Sequence, residues 1–516
     1  MHSYLSELVI LRPVVAFAIL LCITPGATAE DRFAGVDQYI TAAMEKWQVP
    51  GLAIEVVKNG ETVLSRAYGV RTVDAQNEPV TLGTRFSIAS CTKSFTACAI
   101  AMLVDEGKLH WDDTVQSHLP EFKVADPYVT QHATVRDLLC HRTNLVAGEL
   151  LLMRGDVSNA EMLQRLGDLP LAKPFRSGFA YSNLMYDVLG QIIEAKTGQS
   201  WQAFVAERIF TPLELGSTAI DRGSIPEDLI ATRHRIYDAT VSPLRSQEYD
   251  TYTSAAGAIY STAGDMSKWL QFHLNEGHVG NRQLVSKNVM REMCAVQQSI
   301  PVRWRPNSDV YDPRFTGYGL GWFLRDYRGR KVVQHGGAWG AETAILPEED
   351  LSIVVLTNRD WNGLTWMLIF DVIDACLDSP ERAWQKGRKW DKWLPLGGPD
   401  AQDRTRAEQF AKLAASRKQG SQPSVALESF AGVYQMPFYG DLIVKVENRR
   451  LHADFGQYHV VFDHWDDNRC YARGAIVPLF DWLVSFDVAD DGTVRALEIN
   501  HIGWDKPDER FVFRRM

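Results

Sequence analysis

The stretch from Ser87 to Gly107, SIASCTKSFTACAIAMLVDEG, decides how the rest of the chain is read. From Phe95 to Val104 it is small and apolar on every side, the pattern of a helix buried all round rather than along one stripe. Lys93 stands at the front of that run. A buried ammonium is costly unless it is paired, loses its proton or takes part in chemistry. If the helix starts near Ser90, Ser90 and Lys93 share a face and hydroxyl and amine can meet. An amine taken out of water gives up its proton more readily, and it can then activate a serine hydroxyl, which is a weak nucleophile alone. The helix start adds a backbone N–H and a positive dipole end where an oxyanion would form.

A Ser-x-x-Lys pattern arises often by chance, and a lysine snorkelling at a helix start is the plainer reading of one. Here only Ser90 has a lysine three residues later, and two further motifs follow it. FAYSNLMY supplies Tyr181-Ser182-Asn183, and VVQHGGAWG supplies His335-Gly336-Gly337 at the end of a strand-like run. Singly these are a core phenol, a helix cap and a tight turn. Their joint occurrence, in this order, asks for a common site.

Composition limits the alternatives. A chain of 516 residues, 46% hydrophobic and only 23% charged, buries a large core and is expected to hold two folded units. A formal net charge of -10, with no basic run, argues against a nucleic-acid partner. Arg12 precedes the apolar run PVVAFAILLCI, and Ala27-Thr28-Ala29 fits a small-residue cleavage site. Residues 1–29 therefore read as an export signal, the protein as periplasmic or secreted, with no stable membrane insertion after cleavage. An uncleaved anchor is the alternative; lipidation at Cys22 is disfavoured by the bulky Leu21 before it. The remaining cysteines, Cys91, Cys98, Cys140, Cys294, Cys376 and Cys470, have no ligand-like spacing and read as free, buried thiols. Neither a metal nor a cofactor is expected.

Along the chain, GVDQYITAAMEKWQV has helical periodicity and GLAIEVVKNGETVLSRAYG reads as a hairpin turning at Asn59-Gly60. NLMYDVLGQIIEAKTGQSWQAFVAERIF reads as two helices parted near Gly198. The strand-like pieces GYGLGWFL, GRKVVQHGG and LSIVVLTN follow, then the helical LTWMLIFDVIDACL. Strands from both ends of one unit, with helices around them, predict an α+β fold, an α/β sandwich, over residues 30–378. Residues 379–423 are polar and read as a linker with one helix. Residues 424–516 alternate apolar and polar residues about turns at Asn448 and Asp490 to Gly492, which predicts a small antiparallel β domain.

SCTK, YSN and HGG, in this order and at these spacings, resemble the three motifs of the serine β-lactamase and penicillin-binding protein superfamily, in its class C β-lactamase-related branch. TVRDLLCHRTNL, AAGAIYSTAGDMSKWL, GYGLGWF and LPEEDLSIVVLTN support the resemblance, which covers about residues 32–378. It implies a β-lactamase/DD-peptidase-like domain with an antiparallel sheet flanked by helices. It makes Ser90 the acylated nucleophile, Lys93 its activating partner and Tyr181 the proton shuttle, with Asn183 orienting substrate or Lys93. The strand bearing His335, Gly336 and Gly337 would line the substrate side, and the N–H groups of Ser90 and Ala338 would form the oxyanion hole. The segment beginning FAGVYQ resembles the lipocalin-like β domain appended to such hydrolases.

His335 replaces the lysine of the Lys-Thr-Gly form. A histidine is largely neutral at pH 7 and holds a carboxylate less firmly than a lysine does. The implied activity is therefore hydrolysis of an amide or ester of a small-molecule or short-peptide substrate, of the aminopeptidase, carboxypeptidase, short-peptide hydrolase or esterase type. A β-lactamase, a transacylase, or a non-catalytic binding protein on the same fold are the alternatives. His141 and Arg142 of CHRTN are expected on a structural turn, with a direct substrate role as the alternative.

Overall fold

Asn59 and Gly60 take φ of 53° and 75°, the left-handed pair that a tight hairpin requires, and they join β1 (Gly51–Lys58) to β2 (Glu61–Gly69). The hairpin forms one edge of the main sheet in the computed structural model, which describes residues 32–75, 77–145, 148, 151, 154–237, 240–244, 254–302, 313–377, 399–476, 480–502 and 510–516. The segment read as an export signal and residues 379–398 of the linker lie outside the described residues.

The other strands are β3 (Gln298–Ile300), β4 (Thr316–Tyr318), β5 (Phe323–Tyr327), β6 (Arg330–Gly337), β7 (Ala341–Leu346) and β8 (Leu351–Thr357). In space they run β2-β1-β8-β7-β6-β5-β4-β3, antiparallel throughout. The first strands of the unit thus pair with its last, as the sequence predicts. Two details differ from the sequence reading. GYGLGWFL breaks into two strands, because Gly321 turns the chain at φ 84° and presses against helix backbone, where a Cβ would lie 3.0 Å from the Lys93 carbonyl oxygen. AETAIL, unmarked by alternation, is β7, a central strand buried at every residue.

Helices cover both faces. On one, α1 (Val36–Trp47) and a late helix, Leu364–Cys376, meet Leu52, Ile54, Val56, Ile353 and Val355 in one apolar cluster. On the other lie α2 (Thr92–Asp105), α3 (Asn183–Thr197), α4 (Ser254–Gly257) and α5 (Ala263–Leu274). Every α2 residue from Thr92 to Leu103 is buried, which answers to its apolar sequence. Full burial of a side chain such as Phe95 is worth roughly 1.5–3 kcal/mol.

The C-terminal segment closes into an eight-stranded antiparallel barrel: β9 (Gly432–Met436), β10 (Gly440–Glu447), β11 (Arg450–Phe455), β12 (Tyr458–Asp466), β13 (Arg469–Ile476), β14 (Phe480–Val488), β15 (Val494–Ile502) and β16 (Arg510–Arg515). Closure removes the sheet edges a two-ended β domain would expose. A helix, Pro399–Ala415, precedes it. The barrel docks on the larger unit through Arg154, whose guanidinium donates to the carbonyls of Tyr439 at 2.8 Å and Asp441 at 3.1 Å. The same group lies 5.0 Å from the Phe455 ring. Among the described residues Cys91, Cys98, Cys140, Cys294, Cys376 and Cys470 form no disulfide; five of them are buried and Cys294 partly so. No helix among the described residues is long and apolar enough to cross a membrane.

Candidate active site

Ser90 sits in a short 3-10 turn, Ala89–Cys91, that runs into α2. Ala89, immediately before it, is held at φ 43°, a left-handed conformation that a residue with a Cβ adopts only under constraint. The constraint is visible: Gly337 of β6 presses on this turn so closely that a Cβ there would lie 2.3 Å from the Ile88 carbonyl oxygen. The end of β6 and the Ser90 turn are thereby locked together, which brings the Ser90 and Ala338 backbones to neighbouring segments.

Lys93 is fully buried. Its Nζ lies 2.7 Å from Asn183 Oδ1, 2.8 Å from the Ala256 carbonyl oxygen and 3.2 Å from Ser90 Oγ. The first two partners are acceptors only and commit two N–H bonds. The side of the nitrogen toward Ser90 can donate when the amine is charged, or accept the serine proton when it is neutral. The rings of Tyr181 and Tyr186 lie 4.8 Å and 5.4 Å from Nζ and present their electron-rich faces to it. Lys93 is thus paired as well as buried, and three sequence segments far apart in the chain supply its partners.

Tyr181 and Asn183 flank the start of α3, with Ser182 as the extended residue before the helix. What fixes them is His141, on the turn the sequence predicts from CHRTN and itself at φ 58°. Its carbonyl accepts from the Ala180 N–H at 2.8 Å and its Nδ1 accepts from the Ser182 N–H at 3.1 Å. Its ring lies 4.3 Å from that of Tyr181. Burial, then the Lys93 charge and His335, push the imidazole well below the usual histidine range, so it is neutral, with the proton on Nε2. The turn is anchored by Asp137, a fully buried carboxylate that receives Arg142 and Arg176. Burial alone would raise the Asp137 pKa, and those two guanidiniums hold it below its ordinary value instead. His141 is a positioning residue, which the sequence reading places on a turn with a substrate role as the alternative; the signal for it in the sequence is a histidine directly after the apolar run Leu138-Leu139-Cys140.

The HGG segment corrects an expectation. The His335 side chain does not reach open space: the residue is 1% exposed, its Nε2 meets the Tyr318 hydroxyl at 3.0 Å and its Nδ1 the Gly336 carbonyl at 2.9 Å. A carbonyl only accepts, so Nδ1 carries the proton and Tyr318 donates to Nε2. Burial first, and the Lys93 charge second, push this imidazole down to about 3. His335 is a neutral strut beneath the site, and the direct substrate hydrogen bond expected of its ring is not available to it. Gly337 is required sterically by the Ile88 backbone, and a Cβ on Gly336 would lie 2.4 Å from Glu342 Oε2 and displace that buried carboxyl. Ala338, half-buried, follows them.

Two buried acids complete the electrostatics. Asp187, one helical turn after Asn183, is raised to about 7 by burial, with Lys93 and a 3.3 Å hydrogen bond from the Ala255 N–H acting against the rise. Glu342, behind Gly336, is raised by burial to about 8, with Arg325 opposing.

A serine at a helix start, a buried lysine on its hydroxyl and a tyrosine over that lysine, on an α+β sandwich, form the arrangement that activates a serine nucleophile. The chain belongs to the β-lactamase family, whose model matches residues 36–364. Residues 416–515 match a second model, described as a domain of unknown function, DUF3471. Protein flp of Staphylococcus aureus (strain MW2) is 27% identical over 331 residues, 63% of this chain and 62% of its own length. This chain thus spans about three-fifths of that relative. The unguisins hydrolase ungD' of Aspergillus campestris is 25% identical over 445 residues, 81% of this chain and 79% of its own. Among solved structures, the octameric penicillin-binding protein homologue from Pyrococcus abyssi superposes with a TM-score of 0.57 at 21% identity, covering 92% of this chain and 99% of its own. EstCE1, a hydrolase with promiscuous acyltransferase activity, gives 0.56 at 20% identity, covering 67% and 99%. Both likenesses are of fold.

Proposed function

We propose that the protein is an exported serine hydrolase that cleaves an amide or ester of a small, peptide-like substrate through an acyl-enzyme. The observation that carries this reading is the Lys93 amine 3.2 Å from Ser90 Oγ with its other hydrogen bonds committed to Asn183 and Ala256. In acylation, Ser90 Oγ bonds to the substrate carbonyl carbon as its proton passes to Lys93. The carbonyl oxygen takes up the negative charge, facing the N–H groups of Ser90 and Ala338. The carbon–nitrogen or carbon–oxygen bond then breaks, and the leaving group receives the proton by way of Tyr181. In deacylation, water attacks the ester carbon, its proton returns along the same groups, and Ser90 Oγ leaves. General acid–base help of this kind is worth about 10²–10⁴ in rate, and each oxyanion donor about 10²–10³.

The neutral, enclosed His335 supports a preference for substrates without a carboxylate at that wall. The name of the ungD' relative, a hydrolase, supports the reaction class. Export rests on the pattern of residues 1–29, and its check is N-terminal sequencing of protein recovered outside the cytoplasm, where a first residue other than one near Glu30 contradicts it. The reaction class is tested by intact-mass analysis after a fluorophosphonate: one adduct on Ser90, absent in Ser90→Ala, is expected. A wild-type protein that stays unlabelled, and turns over neither acyl esters nor amino-acid amides, would sink the proposal in favour of a binding protein.

A further inference from the structure

On the barrel's outer face, far in sequence from the catalytic motifs, three potential metal ligands converge. In β11 the inward residues Leu451, Ala453 and Phe455 are buried, so His452 and Asp454 point outward. On β12, Tyr458 is buried and His459 is outward; pairing sets His459 opposite Asp454 and Val461 opposite His452, so the two histidines are diagonal neighbours. Glu447 ends β10, on the strand beside them. The ligand atoms of Glu447, His452 and His459 all lie within 4.8 Å of one another.

The hydrogen bonding already sets His459 as a ligand. Asp454 Oδ1 lies 2.7 Å from His459 Nδ1. A carboxylate only accepts, so Nδ1 carries the proton and Nε2 is left as a lone pair aimed at His452 Nδ1, 2.9 Å away. A carboxylate holding the far nitrogen of an imidazole in this way fixes the tautomer and raises the basicity of a metal-binding histidine. His452 Nε2 is buried and has no partner among the described residues, so Nδ1 is the nitrogen through which His452 can reach a ligand. Glu447 Oε2 stands 4.0 Å from that Nδ1, and its side chain and that of His459 are about half exposed and free to adjust. Tetrahedral zinc, with bonds of about 2.0–2.2 Å, needs ligand atoms roughly 3.3–3.5 Å apart. The present separations bracket that spacing.

We propose that Glu447, His452 and His459 form a zinc-type divalent cation site, with Asp454 orienting His459 and water completing the shell. Two imidazoles select zinc-like ions over calcium or magnesium, which take oxygen ligands. On binding, His452 changes tautomer, its proton passing from Nδ1 to Nε2, so the ring stays neutral and the two facing lone pairs, Nδ1 of His452 and Nε2 of His459, meet the ion. The ion ties three consecutive strands together just behind the β11–β12 turn, whose Gln457 N–H donates to the Arg154 carbonyl at 2.9 Å. It therefore stiffens the hairpin by which the barrel docks on the catalytic unit. Sequence spacing carried no sign of this site, because its ligands are joined only by strand pairing.

The test uses full-length, tag-free protein dialysed against EDTA, titrated calorimetrically with zinc chloride and followed in parallel by thermal melting. One ion per chain is expected, with Kd at or below about 10 µM and a rise in Tm. His452→Gln combined with His459→Gln should weaken binding at least about 100-fold, and Asp454→Asn about 10- to 100-fold. Magnesium chloride should give no saturable heat. No saturable zinc binding by the wild type, or zinc binding by the double variant equal to wild type, overturns the proposal. Melting of the double variant in EDTA checks that it folds; if it does not, the exposed Glu447→Gln takes its place, and an unchanged Kd there overturns the three-ligand assignment.

Discussion

Replacing Lys93 with methionine separates the base from the packing. Methionine keeps an unbranched stem of similar volume, so little cavity is left in a site where Lys93 is fully buried. What disappears is the Nζ that donates at 2.7 Å to Asn183 Oδ1 and at 2.8 Å to the Ala256 carbonyl. Leaving those two buried oxygens unsatisfied costs about 1–3 kcal/mol each. Removing an amine from a dry interior returns several kcal/mol of desolvation, so the two effects largely cancel and stability should move by less than about 3 kcal/mol. Acylation has no such compensation. Loss of the base should slow it by about 10²–10⁴, equivalent to roughly 3–5 kcal/mol of barrier. The assay is the second-order rate constant for fluorophosphonate labelling of Ser90, read by intact mass, beside a melting curve on the same sample. A Lys93→Met protein that folds and labels within tenfold of wild type would show that the lysine is only a strut.

Three further outcomes are expected. Tyr181→Phe should keep the fold and slow steady-state ester turnover by at least about tenfold; an unchanged rate and an unchanged acyl-enzyme lifetime would remove the phenol from the mechanism. His335→Lys should lower Tm and give no gain on nitrocefin relative to p-nitrophenyl esters, because the position is buried beside Lys93; a gain in nitrocefin kcat/KM without loss of stability refutes the enclosed geometry. Glu342→Gln tests the buried acid behind Gly336. Its folded pKa, about 8, lies above the unfolded value near 4.5, so its contribution to stability is full below pH 4.5 and is lost as pH rises toward 8. The Tm of Glu342→Gln minus that of wild type should therefore climb from pH 5 to pH 8 and then level, and a difference independent of pH would show that Glu342 is ionised throughout.

Much of the molecule was written locally. The Ser90 and Lys93 pairing follows from helical spacing, the β1–β2 turn from Asn59-Gly60, and the barrel strands from strict alternation, because each of these depends on residues a few positions apart. The helices Val36–Trp47, Asn183–Thr197 and Leu364–Cys376 carry their own apolar periods. Tertiary structure decided the rest. Strand β7 has no alternation because neighbours cover both its faces, and only the closed sheet shows that. His335 reads as a substrate contact until Tyr318 is seen to hold its outer nitrogen, and His141 reads as a turn until the Ser182 N–H is found on its ring. The Glu447, His452 and His459 cluster is invisible along the chain for the same reason. Burial and tautomer are set by what packs against a side chain, and those partners come from other strands and helices, 17 residues away for Tyr318 and 41 for Ser182, or from across a ladder, where sequence spacing holds no information.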